Sequence, residues 1–167
     1  MKWWHNEKVS VVWTVFRIWL GIKWFEAGWH KVNDGFDASG FLQGAMAKAT
    51  GEHPAVQGWY AAFLENFAVP NVELFNFLIP WGEVLVGLGL ITGLMTIPAL
   101  LAGAFMNLNF LMAGTVSTNP ILLTVAVILL FTGKGAFHWG ADRWIMPYLK
   151  QNLVHKKDNH HKKPIVV

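Results

Sequence analysis

Four apolar runs, each long enough to cross a lipid bilayer, take up most of this chain and dictate its class. A helix needs about 20 residues to cover a hydrocarbon core of roughly 30 Å at 1.5 Å per residue. Residues 9–29, 73–95, 97–116 and 120–139 meet that length. Charged residues are only 14% of the sequence, where a soluble domain carries about 25%. The expected fold is all-α: an integral membrane four-helix up-down bundle, one domain over residues 1–149, followed by a disordered basic tail over 150–167.

The links between the runs set the topology. GLMTIPA joins the second and third, with Pro98 favouring a helix start. GTVSTNP joins the third and fourth, where Ser117, Thr118 and Asn119 can cap a helix opened by Pro120. Links this short imply antiparallel neighbours. The first link is long and acidic, with Asp34, Asp37, Glu52, Glu65 and Glu73 against Lys31 and Lys48. Within it, AVQGWYAAFLENFAV reads as a short amphipathic helix, either lying at the membrane interface or packed as a lid.

Lys and Arg placement gives the orientation. Lys2 and Lys8 precede the first run, and Lys150, Lys156, Lys157, Lys162 and Lys163 follow the last. Both termini are therefore expected in the cytoplasm of a bacterial-type inner membrane, with the acidic link outside. Trp3, Trp4, Trp29, Trp59, Trp139 and Trp144 mark the borders. The first run holds three charges and no small-residue cleavage site follows it, so it reads as a retained helix rather than a signal peptide.

Charged groups within the spans cost about 2.5–3.5 kcal/mol each on insertion scales, so each needs a partner or a watery cavity. Counting along the helices puts Arg17, Glu83, Asn107 and Asn109 near mid-depth. The expectation is a buried Arg17–Glu83 pair with Asn107 or Asn109 beside it, serving either as a structural salt bridge or as a pocket for a quinone or anion head group. Lys23, Glu26 and His30 share one helix face near the outer edge, as an ion pair or as a proton relay through His30. Lys134, His138 and Asp142 repeat every four residues near the inner edge, with Arg143 following, as a snorkelling helix end or as a functional cluster.

The chain has no cysteine, which excludes thiolate zinc sites and Fe–S clusters. Its seven histidines include none at the centre of a span, and His30 and His138 fall near opposite faces, so no haem is expected. His155, His160 and His161 suggest at most a weak adventitious metal site, and no resident metal is expected. The basic tail beside so much apolar sequence points to a membrane flank and not to nucleic acid. The glycines of GEVLVGLGLITGL and LLAGAFMNLNFLMAG suit close helix packing.

FRIWLGIKWFEAGWHKV resembles the R-x-x-x-G…F…G-x-x-K opening of the DoxX/DoxD membrane proteins. PWGEVLVGLGLITGL resembles their glutamate-containing span, and MNLNFLMAGTVSTNP with GKGAFHWGADRW resembles the DoxD-like branch. The similarity covers about residues 9–147, with Arg17, Gly21, Lys31, Glu83, Asn107, Asn109, Asn119, Asp142 and Arg143 at signature positions. It implies a four-helix membrane bundle. It also implies a candidate chemistry, thiosulfate:quinone oxidoreduction, in which thiosulfate becomes tetrathionate and quinone becomes quinol.

The expected function is a quinone-linked membrane redox subunit, with quinone as an exchangeable substrate meeting Arg17, Glu83 and Asn107. Whether the chain is an enzyme by itself stays open. The alternatives are a non-catalytic membrane anchor or assembly subunit for a soluble oxidoreductase, and a small-solute transporter. The expected partners are membrane lipid, quinone and an oxidoreductase subunit, and a homo-oligomer stays open. Against transport, no inverted repeat is visible and four helices leave little room for alternating access.

Overall fold

The structure, a computed structural model, describes residues 6–145, 147 and 148. The basic tail over 150–167 lies outside the described residues. Every element is helical, with no strand among the described residues. The order is α1 (Glu7–Asp34), α2 (Ala38–Ala47), α3 (Gly58–Phe63), a π-helical turn (Leu64–Ala68), α4 (Val72–Thr92), α5 (Thr96–Met112), α6 (Asn119–Thr132) and α7 (Lys134–Phe137).

Capping explains several boundaries. Asn6 opens α1 by accepting from the Lys8 N–H, and Asp37 opens α2 by accepting from the Ser39 N–H. Gly93 closes α4 in the left-handed region (φ 67°, ψ 31°), a conformation that costs glycine nothing. Gly133 ends α6 at φ 51° and ψ −115°. The fourth run is therefore not one helix to Trp139, because that glycine turns the chain out of its axis.

Among the described residues only α4 is both long and apolar enough to cross a membrane by length and composition, while α5 and α6 are shorter apolar helices. Leu20 and Trp24 of α1 meet Val86 and Leu90 of α4, Leu100 of α5 and Leu129 of α6 in one buried core. The outward faces stay apolar: Val15, Phe77, Leu85, Phe105 and Phe131 are all exposed. Water-soluble proteins rarely show so continuous an apolar exterior.

The packing of α1 on α4 is set by glycines. A Cβ at Gly28 would stand 2.7 Å from Pro80 O and Val84 N, and one at Gly87 would stand 2.5 Å from Phe25 N. Gly21 abuts Leu90 and Ile91 in the same way. These contacts bring the two backbones together, as small residues do between membrane helices. They also fix an antiparallel stagger of roughly nine residues between the helix midpoints, about 14 Å along the axis. Each overhang is covered: Asn76 Oδ1 accepts from the Ala38 N–H at one end, and Ala141 N donates to Thr92 O at the other.

The long first link is built, not loose. It holds α2, which its sequence does not announce, and the α3–π segment where a short helix is expected. Leu42, Val56, Tyr60, Leu64 and Ala113 form a second core under it. The segment thus packs as a lid over the end of α5, while Trp59, Phe63 and Phe67 remain exposed on its other side.

Candidate functional site

Glu83 lies on the face of α4 that Gly28 lets approach α1, and it is 2% exposed. A carboxylate sealed there needs a counter-charge, and Lys31, three residues after Gly28, supplies it. Its Nζ donates to Glu83 Oε2 at 2.6 Å. Lys31 itself is 28% exposed and also stands 5.8 Å from the Phe36 ring centre. The expected Arg17–Glu83 pair is not formed. Depth counting sets α1 and α4 side by side at equal heights, whereas the glycine stagger raises Glu83 to the level of Lys31.

Asn107 is fully buried, and neither end of its amide has a hydrogen-bond partner among the described residues. Gly103, one turn earlier on the same face, lies against Trp24 and Val86. Asn107 therefore sits at the height of Glu83. The Trp24 indole N–H, also buried, is likewise unpartnered. Asn109 faces elsewhere: the buried Tyr60 hydroxyl of the lid lies 3.1 Å from both its backbone and its side-chain oxygen. Burial pushes the Tyr60 phenol above its ordinary value.

A cavity of about 400 Å³ opens beside the ion pair, between α1, α4, α5 and the start of α6. Trp19, Trp24, Phe36, Phe41 and Phe110 give it aromatic walls. Lys23, Lys31, Glu83 and the Ser117–Asn119 turn supply its polar groups. Flat apolar walls with a few polar groups to one side are the profile of a small-molecule site. Among the described residues no three His, Asp or Glu side chains converge to hold a metal ion.

Arg17 belongs to a different centre. It is 1% exposed, its Nη2 donates to Trp139 O at 3.0 Å, and Gly93 and Gly140 close over its guanidinium. Asp142 is the carboxylate whose charge acts on it. Asp142 in turn accepts from Met95 N and Thr96 N at 2.7 Å each, capping α5 from across the fold. This assembly locks the α4–α5 turn to the chain after α7.

The outer triad is split. Lys23 Nζ donates to Glu26 at 2.9 Å in the open, but His30 stands 3.9 Å from Asp34 rather than beside Glu26. The inner cluster is not a helical stripe, because α7 ends at Phe137 and the 138–141 turn separates its members. His138 lies 3.9 Å from Glu7, and Arg143 lies over the rings of Trp139 and Trp144. The Lys134 side chain lies outside the described residues. Sequence reasoning underrates Lys31, Trp24 and Tyr60; the Gly28-x-x-Lys31 spacing, which places Lys31 on the α4-facing side, is the signal that could have found the first.

The DoxX family model matches residues 12–117, from the start of α1 through α5. The chain belongs to the DoxX family, and it is a membrane protein of that type. No curated protein and no solved structure matches it.

Proposed function

We propose that this DoxX-family membrane protein is a quinone-linked redox subunit whose ring site is the aromatic cavity at Lys31 and Glu83. The observation that carries the reading is the sealed Glu83 carboxylate held by Lys31 at the wall of that cavity. Aromatic walls suit a planar ring, and Lys31 can donate to a ring oxygen while Glu83 holds it in place. Quinol formation takes two electrons and two protons. Two thiosulfate anions losing one electron each, joined by a new S–S bond as tetrathionate, would supply the electrons.

In the arrangement proposed, α1, α4, α5 and α6 form an up-down bundle across the cytoplasmic membrane, with both termini inside. The acidic 31–73 segment is then outside. The cavity opens toward that side, since Phe36, Phe41 and the Ser117–Asn119 turn line it.

A second reading, a non-catalytic subunit for a soluble oxidoreductase, draws on the exposed Trp59, Phe63 and Phe67 of the lid. The deciding experiment is quinone reduction by the purified protein in lipid nanodiscs, with thiosulfate as donor. Thiosulfate-dependent quinol formation that vanishes in a folded Glu83→Gln variant supports the first reading. No turnover by native protein with a suitable quinone sinks the self-sufficient form of it. Activity regained only with a co-purified soluble partner favours the second.

A further inference from the structure

The far end of the molecule from the aromatic cavity carries a second cleft. It measures about 290 Å³ and is lined by Thr92, His138, Trp139, Arg143 and Trp144. We propose that this cleft binds the phosphate of an anionic phospholipid.

The charge there is uncompensated. Asp142, adjacent to Arg143, is turned inward with both carboxylate oxygens committed to the α5 backbone. Among the described residues Arg143 makes no ion pair, and the nearby Glu7 stands 3.9 Å from the His138 Nε2 instead. Arg143 itself is exposed and lines the cleft. The Arg143 guanidinium lies 5.7 Å from the Trp139 ring centre and 5.9 Å from that of Trp144. Two half-exposed or exposed indoles beside a cation are what a head-group layer favours, with the ring body in the interface and the polar edge toward water.

The apolar track leading from the cleft argues for a lipid over a free phosphate. Leu85, Leu88 and Thr92 share one stripe of α4, and all three are exposed. A phosphate seated at Arg143 would let an acyl chain lie along Leu88 and Leu85. A free phosphate would leave that stripe uncovered.

The test is native mass spectrometry of the detergent-purified full chain titrated with phosphatidylglycerol or phosphatidylcholine. Phosphatidylglycerol should bind at least about fivefold more tightly, the size of effect one basic residue supplies at an anionic surface. Arg143→Gln should abolish the preference, while Lys8→Gln, which removes a charge at the same end, should retain it. Trp144→Leu, with Arg143 intact, should weaken phosphatidylglycerol binding at least twofold and keeps the test open should Arg143→Gln not fold. No preference in the wild type, equal losses in Arg143→Gln and Lys8→Gln, an unaffected Trp144→Leu, or displacement of the lipid by millimolar inorganic phosphate would each overturn the proposal.

Discussion

Lys31 and Glu83 form a 2.6 Å ion pair in which the acid is sealed and the base is not. The asymmetry predicts unequal costs. Lys31→Met strands a carboxylate away from water and should destabilise by about 3–5 kcal/mol. Glu83→Gln leaves a lysine that can still reach the cavity, and should cost only about 1–3 kcal/mol. The double variant should recover much of the Lys31→Met loss, because no buried carboxylate is left unpaired. Thermal unfolding of the four proteins in one detergent checks this; equal single losses would show that Lys31 is as sealed as its partner.

Helix register rests on glycines, so alanine should act very differently along the chain. Gly28→Ala and Gly87→Ala force a Cβ into the facing backbone and should each cost about 1–3 kcal/mol. At Gly82 the nearest neighbour is the flexible Met106 side chain at 3.4 Å, so alanine should be tolerated. At Gly40, inside α2 with nothing within 4 Å, alanine should stabilise by up to about 1 kcal/mol. Melting temperatures of the four variants give the ranking.

The same glycines explain where sequence reasoning succeeds and where it stops. Long apolar runs announce α1, α4, α5 and α6 because their composition admits little else. Pairing across helices is not announced, since it depends on how far one helix slides along another. Gly21, Gly28 and Gly87 decide that jointly, from two elements at once. A count of depth therefore joins Glu83 to Arg17, when the stagger delivers it to Lys31. α2 is hidden for a local reason: ASGFLQGAMA holds two glycines, and only the Asp37 cap hints at a helix start. The Lys134–His138–Asp142 spacing suggests a stripe only while residues 138–141 are assumed to stay helical.

Asp142 caps α5 across the fold, where Met95 has no side-chain bond of its own to offer. Asp142→Ala should cost about 2 kcal/mol, the upper end for a lost cap, because Arg17 also loses its counter-charge. Asp142→Asn keeps one acceptor and should lose less. Hydrogen exchange at Met95 and Thr96 reads the cap directly: faster exchange in Asp142→Ala than in Asp142→Asn is expected.

Tyr60 ties the lid to α5 through Asn109. Tyr60→Phe should cost about 0.5–1.5 kcal/mol, one intramolecular hydrogen bond. The raised phenol pKa adds a pH signature. The native state holds its proton more tightly than the unfolded chain does, so the contribution is complete below the ordinary value of 10.0 and is lost as pH rises through the higher folded value. Wild type and Tyr60→Phe should therefore converge in stability at alkaline pH. Coincident curves throughout would place the benefit of Tyr60 in its ring packing instead.

Filling the aromatic cavity should separate binding from folding. Ala27 lines it and is only half-buried, so Ala27→Leu can project into free space. With Lys31, Glu83 and the core of the fold untouched, the melting temperature should stay within a few degrees. A ring that occupies the cavity would meet the new side chain, and quinone affinity should fall at least about tenfold, or roughly 1.4 kcal/mol. Quenching of tryptophan fluorescence by added quinone measures this, because Trp19 and Trp24 both face the cavity. Unchanged quenching in a folded Ala27→Leu variant would move the ring site elsewhere and leave Lys31 and Glu83 as a structural pair.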